Sequence, residues 1–190
     1  MEPSDEALCA RVAAGEDAAF EQLVGRYQRR AYRLAWSILR DAEGARDVSQ
    51  EAFIRLFQTA GGFAGRARFS TWFYRIVVNL SVDHRRKGRW WRQVFARGER
   101  SDGDGNALDE HPAPTVDPGD ALERERALAD VWAAAEALSP QQRAALLLQV
   151  QDDLPTKDIA AVLGCSEATA RVHLHRALSA LRRTLRKEPR

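Results

Sequence analysis

A chain of 190 residues that is 45% hydrophobic and 29% charged, with a formal net charge of +2, can bury one ordinary core or two small ones, which excludes a disordered chain. Its two cysteines, Cys9 and Cys165, stand in unrelated contexts, so neither a disulfide framework nor a metal site is expected. The acidic start MEPSDEALCA has no apolar core, and no stretch approaches the roughly 18 apolar residues of a membrane span, so the expected setting is a reducing cytoplasm.

From Asp17 to about Arg40 the residues Phe20, Leu23, Val24, Tyr27, Ala31, Leu34, Ala35, Ile38 and Leu39 recur at three- and four-residue steps, the period of an amphipathic helix. Asp41 is placed to cap a second helix carrying Ala45, Val48, Ala52, Phe53, Leu56 and Phe57, which Gly61-Gly62 stops. A third is predicted from a Ser70 cap through Trp72, Phe73, Ile76, Val77, Leu80 and Val82, dissolving into His84-Arg85-Arg86-Lys87.

Charge is segregated behind the bland total. Between positions 61 and 100, Arg66, Arg68, Arg75, Arg85, Arg86, Lys87, Arg89, Arg92, Arg97 and Arg100 face only Asp83 and Glu99, whereas residues 101–130 carry nine acids against only Arg124 and Arg126. A basic block with interleaved aromatics predicts a polyanion-binding surface, and the acidic segment beside it repels or imitates the same polyanion.

Helical period fades between Gly88 and Pro118, where Gly103, Gly105, Pro112, Pro114 and Pro118 gather among acids, the composition of a flexible linker. Trp90, Trp91, Val94 and Phe95 stand out in it, either as a cap on the preceding core or as a docking patch. The pattern returns from Ala121 to Leu138. Ser139-Pro140 then opens another helix, a cap followed by proline at the first helical position. After the break at Leu154-Pro155-Thr156, a short helix with Ile159, Ala160, Val162 and Leu163 leads through Gly164-Cys165-Ser166 into a last helix to about Leu185.

The expected fold class is therefore all-α: two small helical domains, 1–90 and 121–190, joined by a flexible acidic linker, 91–120. The second domain has the small residues, apolar inner faces and turn of a helix-turn-helix. Ser166 caps its last helix in this reading. Glu167, Ala168, Thr169, Arg171 and His173 then lie on or near the half that enters a major groove, while Arg176, Arg182, Arg183, Arg186 and Lys187 suit backbone phosphates.

Three blocks together resemble the sigma-70 initiation factors of bacterial RNA polymerase, in particular the short extracytoplasmic-function group. They are Asp41-Ala42-Glu43 through Val48-Ser49-Gln50-Glu51-Ala52-Phe53, then Phe69-Ser70-Thr71-Trp72-Phe73-Tyr74-Arg75-Ile76 with Asn79, Asp83 and Arg85-Arg86, then Leu138-Ser139-Pro140 with Asp158 through Ala177. The resemblance implies a factor that binds core polymerase, through the clamp of the largest subunit and the flap of the second, and directs it to promoter DNA. It implies polymerase binding by Asp47, Gln50 and Glu51. It implies start-proximal DNA binding and melting by Phe63, Arg66, Arg68, Phe69, Tyr74, Arg75, Asn79, Asp83 and Arg86, and upstream DNA binding by Ser166, Glu167, Thr169, Arg171, His173 and Arg176. It further implies an anti-sigma factor, often membrane-tethered, as partner, and no cofactor, metal or small-molecule substrate.

The chemistry of the residues fits. Ring stacking offsets the cost of unstacking bases and Arg tracks phosphate, with Trp72 and Phe73 expected to be packed and the loop from Phe63 to Arg68 to face the strand. Asn79, Asp83 and Arg86 share one helical face. Where the family commonly has Thr-Val-Arg-Ser-Arg-Leu, this chain has Thr169-Ala170-Arg171-Val172-His173-Leu174, and Pro155 replaces a usual Ser, passing the cap to Thr156. Rival readings are a stand-alone helix-turn-helix regulator and a regulatory helical adaptor. No enzyme is expected, since His84, His111, His173 and His175 have no ligand or triad spacing.

Overall fold

The structure, a computed structural model, describes residues 2–95 and 137–185, which form seven α-helices and a 3-10 turn at Ala60–Gly62. The acidic segment beyond Phe95, nearly all of the helix expected from Ala121, the side chains of Trp90, Trp91, Val94 and Phe95, and Arg186 and Lys187 lie outside the described residues.

Helix α1 (Asp5–Ala13) forms where the sequence reading has none. Ser4 caps it by accepting from the Ala7 amide at 3.2 Å, Asp5 and Glu6 oppose the dipole in the first turn, and Leu8, Cys9 and Val12 are buried. Helix α2 (Asp17–Leu39) follows the predicted stripe. It stops where Arg40 turns left-handed at φ 56°, with its guanidinium 4.1 Å from the centroid of the Trp36 ring, a cation–π contact that offsets part of the roughly 1 kcal/mol a non-glycine residue loses there.

Helix α3 (Ala42–Thr59) begins at the expected cap, the Asp41 carboxylate accepting from the Gly44 amide at 3.1 Å. Its first turn lies so close to α4 that a Cβ on Gly44 would stand 2.7 Å from both His84 Nε2 and Asp41 Oδ2. Helix α4 (Phe69–Phe95) corrects the sequence reading at both ends. It starts one residue before Ser70, and its leading amide, Phe69 N–H, donates to Glu6 Oε1 of α1 at 3.0 Å. It also runs on through His84–Lys87 and Gly88, because Arg and Lys are good helix formers and one glycine costs only about 1 kcal/mol.

Helices α5 (Pro140–Asp152), α6 (Thr156–Leu163) and α7 (Glu167–Leu185) follow the second stretch of the pattern. Ser139 and Gln142 form a reciprocal capping box at the start of α5. The cap residue of α6 is Pro155, without a side-chain acceptor, so Thr156 is the first helical residue and not the cap. Gly164, at φ 65°, makes the left-handed turn, and Ser166 caps α7 by accepting from the Thr169 amide at 3.1 Å.

Helix α2 is the axis of the assembly. It touches α1, α3 and α4 and also α5, while α6 rests on α4. Buried apolar residues of α5 to α7, among them Ala144, Leu148 and Ile159, therefore join one continuous core with those of α1 to α4. Polar contacts fix this joint. Arg30 of α2 pairs with Asp152 of α5 at 3.0 Å, the carboxylate being 6% exposed, and Arg143 Nε donates to the Ser37 carbonyl at 2.6 Å.

Candidate nucleic-acid interface

Three exposed surfaces gather the candidate residues. The first is the stretch from Phe63 into α4. Gly65, at φ 66°, turns the loop, and Arg66 and Arg68 beyond it are exposed. The half-buried ring of Phe63 anchors that loop on Trp72 (5.2 Å) and Phe69 (6.1 Å). Along α4, Arg75, Asn79, Asp83 and Arg86 are all exposed at helical spacing, joined by Arg85 and Lys87. Asp83 lies 3.7 Å from Arg86, a solvent-screened pair that leaves the guanidinium available to a phosphate.

Two ring assignments are corrected here. Phe69 and Tyr74 are wholly buried, as is Phe73. Phe69 stacks on Phe73 at 5.9 Å, and Phe73 meets Phe53 at 5.0 Å and Tyr27 at 5.5 Å. Packing an aromatic face against other rings returns more than leaving it for an absent strand. Phe69 and Tyr74 therefore support the surface without forming it. Phe63 and Trp72 are the members of the aromatic set that keep partial exposure; Trp72, expected to be packed, does pack against the core with one side while retaining some exposed ring.

The Tyr74 hydroxyl faces the joint. It lacks a well-formed hydrogen bond, and burial first, with the nearby Asp152 charge second, pushes its pKa well above the ordinary range for tyrosine. Tyr27 is raised likewise by burial and by donating to the Asp5 carboxylate. Burial is the largest influence on Arg30 and opposes its charge, yet the Asp152 carboxylate, together with Tyr74 and Tyr27, more than offsets it and raises the guanidinium's pKa. Each shift favours the protonated form of its side chain, which suits a structural joint.

The second surface is the N-terminal half of α7. Ser166, Glu167, Thr169, Arg171 and Arg176 are exposed, with Ala168, Val172 and His175 among them. Arg171 reaches back one turn to the Glu167 carboxylate, a pair open to water and therefore easily exchanged for a base edge or phosphate. His173 departs from its expected place. It falls between the buried Ala170 and Leu174, and its Nδ1 is buried without a hydrogen-bond partner among the described residues, so it turns toward the core edge and away from the outward face.

The third surface is a ridge on α3. Asp47 and Gln50 are exposed, and Glu51, half-buried, holds Arg55 at 2.9 Å. The sequence reading stopped there, but Ile54 and Phe57, each 50% exposed, continue the same side of the helix. Counting seven residues on from Asp47 and from Gln50 finds both of them. Among the described residues no helix is long and apolar enough to cross a membrane.

With that geometry established, comparison with known proteins is specific. Residues 23–92 match the family model described as Sigma-70 region 2, and residues 128–181 match Sigma-70, region 4. The chain is 34% identical to the RNA polymerase sigma-H factor of Pseudomonas aeruginosa, over 95% of this chain and 93% of the relative. It is 35% identical to the ECF RNA polymerase sigma factor SigE of Mycolicibacterium smegmatis, over 98% of this chain and 71% of the relative. The fold resembles that of the sigma factor RpoE of Bartonella quintana, solved in complex with the anti-sigma factor NepR, with a TM-score of 0.68 at 22% identity over 90% of this chain and 98% of that one.

Proposed function

This chain belongs to the sigma-70 family, in its extracytoplasmic-function group, and from that membership we propose how its surfaces share the work of starting transcription. A sigma factor directs RNA polymerase to initiate at promoters. In our reading, residues 1–90 form the unit that binds core polymerase and opens the start-proximal element, and 121–190 form the unit that reads the upstream element as duplex, the expected linker boundary at 91 moving to the end of α4 at Phe95. The observation that carries this is the pair of exposed cationic helix faces, on α4 and on α7, each within its own matched family region and in the family's order.

The α3 ridge of Asp47, Gln50 and Glu51 then meets an arginine-bearing helix of the polymerase clamp through charge-assisted hydrogen bonds. Arg66, Arg68, Arg75 and Arg86 track the phosphates of the separated strand, Asn79 and Asp83 offer hydrogen bonds to its bases, and Phe63 and Trp72 supply ring surface for stacking, worth roughly 1–3 kcal/mol per base. On α7, Arg171 and Thr169 address base edges while Arg176 and the helix start at Ser166 hold phosphate. The protein catalyses nothing itself, acts in the cytoplasm and takes no cofactor. The Bartonella factor was solved with an anti-sigma protein bound, and a partner of that kind is proposed for this chain.

Multi-round transcription with purified core polymerase tests the reading. Adding this chain alone is expected to yield promoter-specific transcripts, and Gln50→Ala with Glu51→Ala to abolish them by loss of core binding. A stand-alone helix-turn-helix regulator would give no transcript until another sigma factor was supplied.

A further inference from the structure

Val172 has no reason to be where it is if packing alone is considered. It lies 46% exposed on α7, whose buried stripe runs through Ala170, Leu174 and Ala177 on another side. A β-branched residue lowers helix propensity, and an exposed one receives little packing in return. Its helical neighbours on the same outward patch are Ala168 and Thr169, one turn earlier. The Thr169 hydroxyl is drawn back toward Ser166 Oγ at 2.9 Å beside the cap, and Thr169 also carries a methyl on this exposed face. Three small apolar groups thus sit together on a face otherwise made of Arg171, His175 and Arg176.

In the major groove, every base edge except one presents hydrogen-bond donors and acceptors only; the exception is the 5-methyl group of thymine. The family's usual Ser at this position can donate to or accept from almost any base edge, whereas Val can do neither. Building on the reading of α7 as the helix that enters the upstream element, we infer that Val172, with Ala168 beside it, is a specificity-determining contact for a pyrimidine 5-methyl group, selecting thymine at one position of that element. The flanking arginines supply affinity from the backbone and from guanine edges, and Val172 supplies a preference that they cannot. A cytosine methylated at carbon 5 presents the same group and would be tolerated at that position better than plain cytosine.

The test uses holoenzyme reconstituted from the full chain and core polymerase, on promoter duplexes selected from a random pool by the same holoenzyme. Each thymine of the upstream element, on either strand, is replaced singly by deoxyuridine, which removes the methyl and nothing else. One position is expected to lose binding about fourfold, the worth of one buried methyl group. Val172→Ser is expected to bind the thymine and uracil duplexes alike, while Arg176→Ala weakens both equally and keeps the difference between them. The inference is overturned if the selected element has no thymine, if no methyl matters to the unaltered protein, or if Val172→Ser keeps the same methyl sensitivity. Should Arg171→Ala and Arg176→Ala also leave binding unchanged, the fault lies deeper, in the placement of α7 on DNA.

Discussion

The two halves of this molecule reach a buried core by different means. In α1 to α4 the centre is aromatic: Tyr27, Phe53, Phe69, Phe73 and Tyr74 are buried and contact one another ring to ring. In α5 to α7 the buried set is Ala144, Ala145, Leu148, Leu154, Ile159, Ala160, Val162, Ala170, Leu174 and Ala177, with no ring among the described residues. Large rings let a few positions fill the space between well-separated helices, whereas alanines let helix backbones approach closely but bury little area each. The first half can thus hold itself together around its rings, while the second borrows surface from α2 and α4.

The sharpest way to break that contrast is to remove its central ring. Phe73→Ala is expected to destabilise α1 to α4 by about 3–5 kcal/mol, read as a shift in the urea midpoint by circular dichroism. The loss should carry α5 to α7 with it, because their support goes too. Leu148→Ala, costing about 2–5 kcal/mol, should instead loosen α5 to α7 while amide exchange in α3 and α4 stays slow. Equal spreading of both effects would contradict the dependence of one half on the other.

High pH attacks the same centre chemically. The folded protein holds Tyr27 and Tyr74 protonated more firmly than an unfolded chain does, their pKa values being raised by burial. The stability this represents is fully present below the ordinary tyrosine value of about 10 and drains away above it, by up to about 1.4 kcal/mol per tyrosine per pH unit. Tyrosinate absorbance from these two rings should therefore appear only together with loss of α1 to α4, with Tyr74→Phe moving the transition to higher pH.

The joint between the halves comes next in size. Asp152→Ala removes a nearly buried carboxylate from Arg30 and from the neighbourhood of Tyr74, an expected loss of about 1–3 kcal/mol. Arg30 is 45% exposed and can turn to water, which keeps the figure below that of a fully buried pair. A double-mutant cycle with Arg30→Ala isolates the pair itself. If faster amide exchange appeared in α1 and not in α5 to α7, the contact would not be what seats the second half.

These results also mark what the sequence discloses and what it hides. Helix positions α2, α3, α5, α6 and α7 were legible, as were the caps Asp41, Ser139 and Ser166 and the turn at Gly164, because each rests on period or local chemistry within a few residues. Helix α1 was not, since Leu8, Cys9 and Val12 do stand at helical spacing but make a single turn of pattern within nine residues, too short to stand out. The partner of the Phe69 amide is Glu6, 63 positions away, and the Arg143 to Ser37 bond spans 106, separations at which pattern says nothing. Composition marked the stretch from Phe63 to Lys87 as an aromatic and cationic surface, but which rings are spent inside it depends on where α2 and α3 lie. Hence Phe69 and Tyr74, expected at the surface, are buried, while Arg66 and Arg68 of the loop are exposed and Phe63 is half-buried. On α7 the same dependence turned His173 inward and left Val172 facing out.

The smallest effects sharpen the contrast inside the second half, where two neighbouring helices start differently. Ser139 closes a capping box on α5, so Ser139→Ala should cost about 1 kcal/mol, by thermal unfolding at fixed pH. Helix α6 starts at Pro155 with no side-chain acceptor, and Pro155→Ser supplies one, which alone would stabilise by about the same amount. Proline, however, also restricts the unfolded chain, and losing it gives back about 0.4–1 kcal/mol. The net change for Pro155→Ser is therefore expected to lie within about 0.5 kcal/mol of zero, even though it installs the residue the family usually carries. A gain as large as the Ser139 loss would mean that Pro155 does little to stiffen the unfolded chain, and that the start of α6 was the weak point of this half all along.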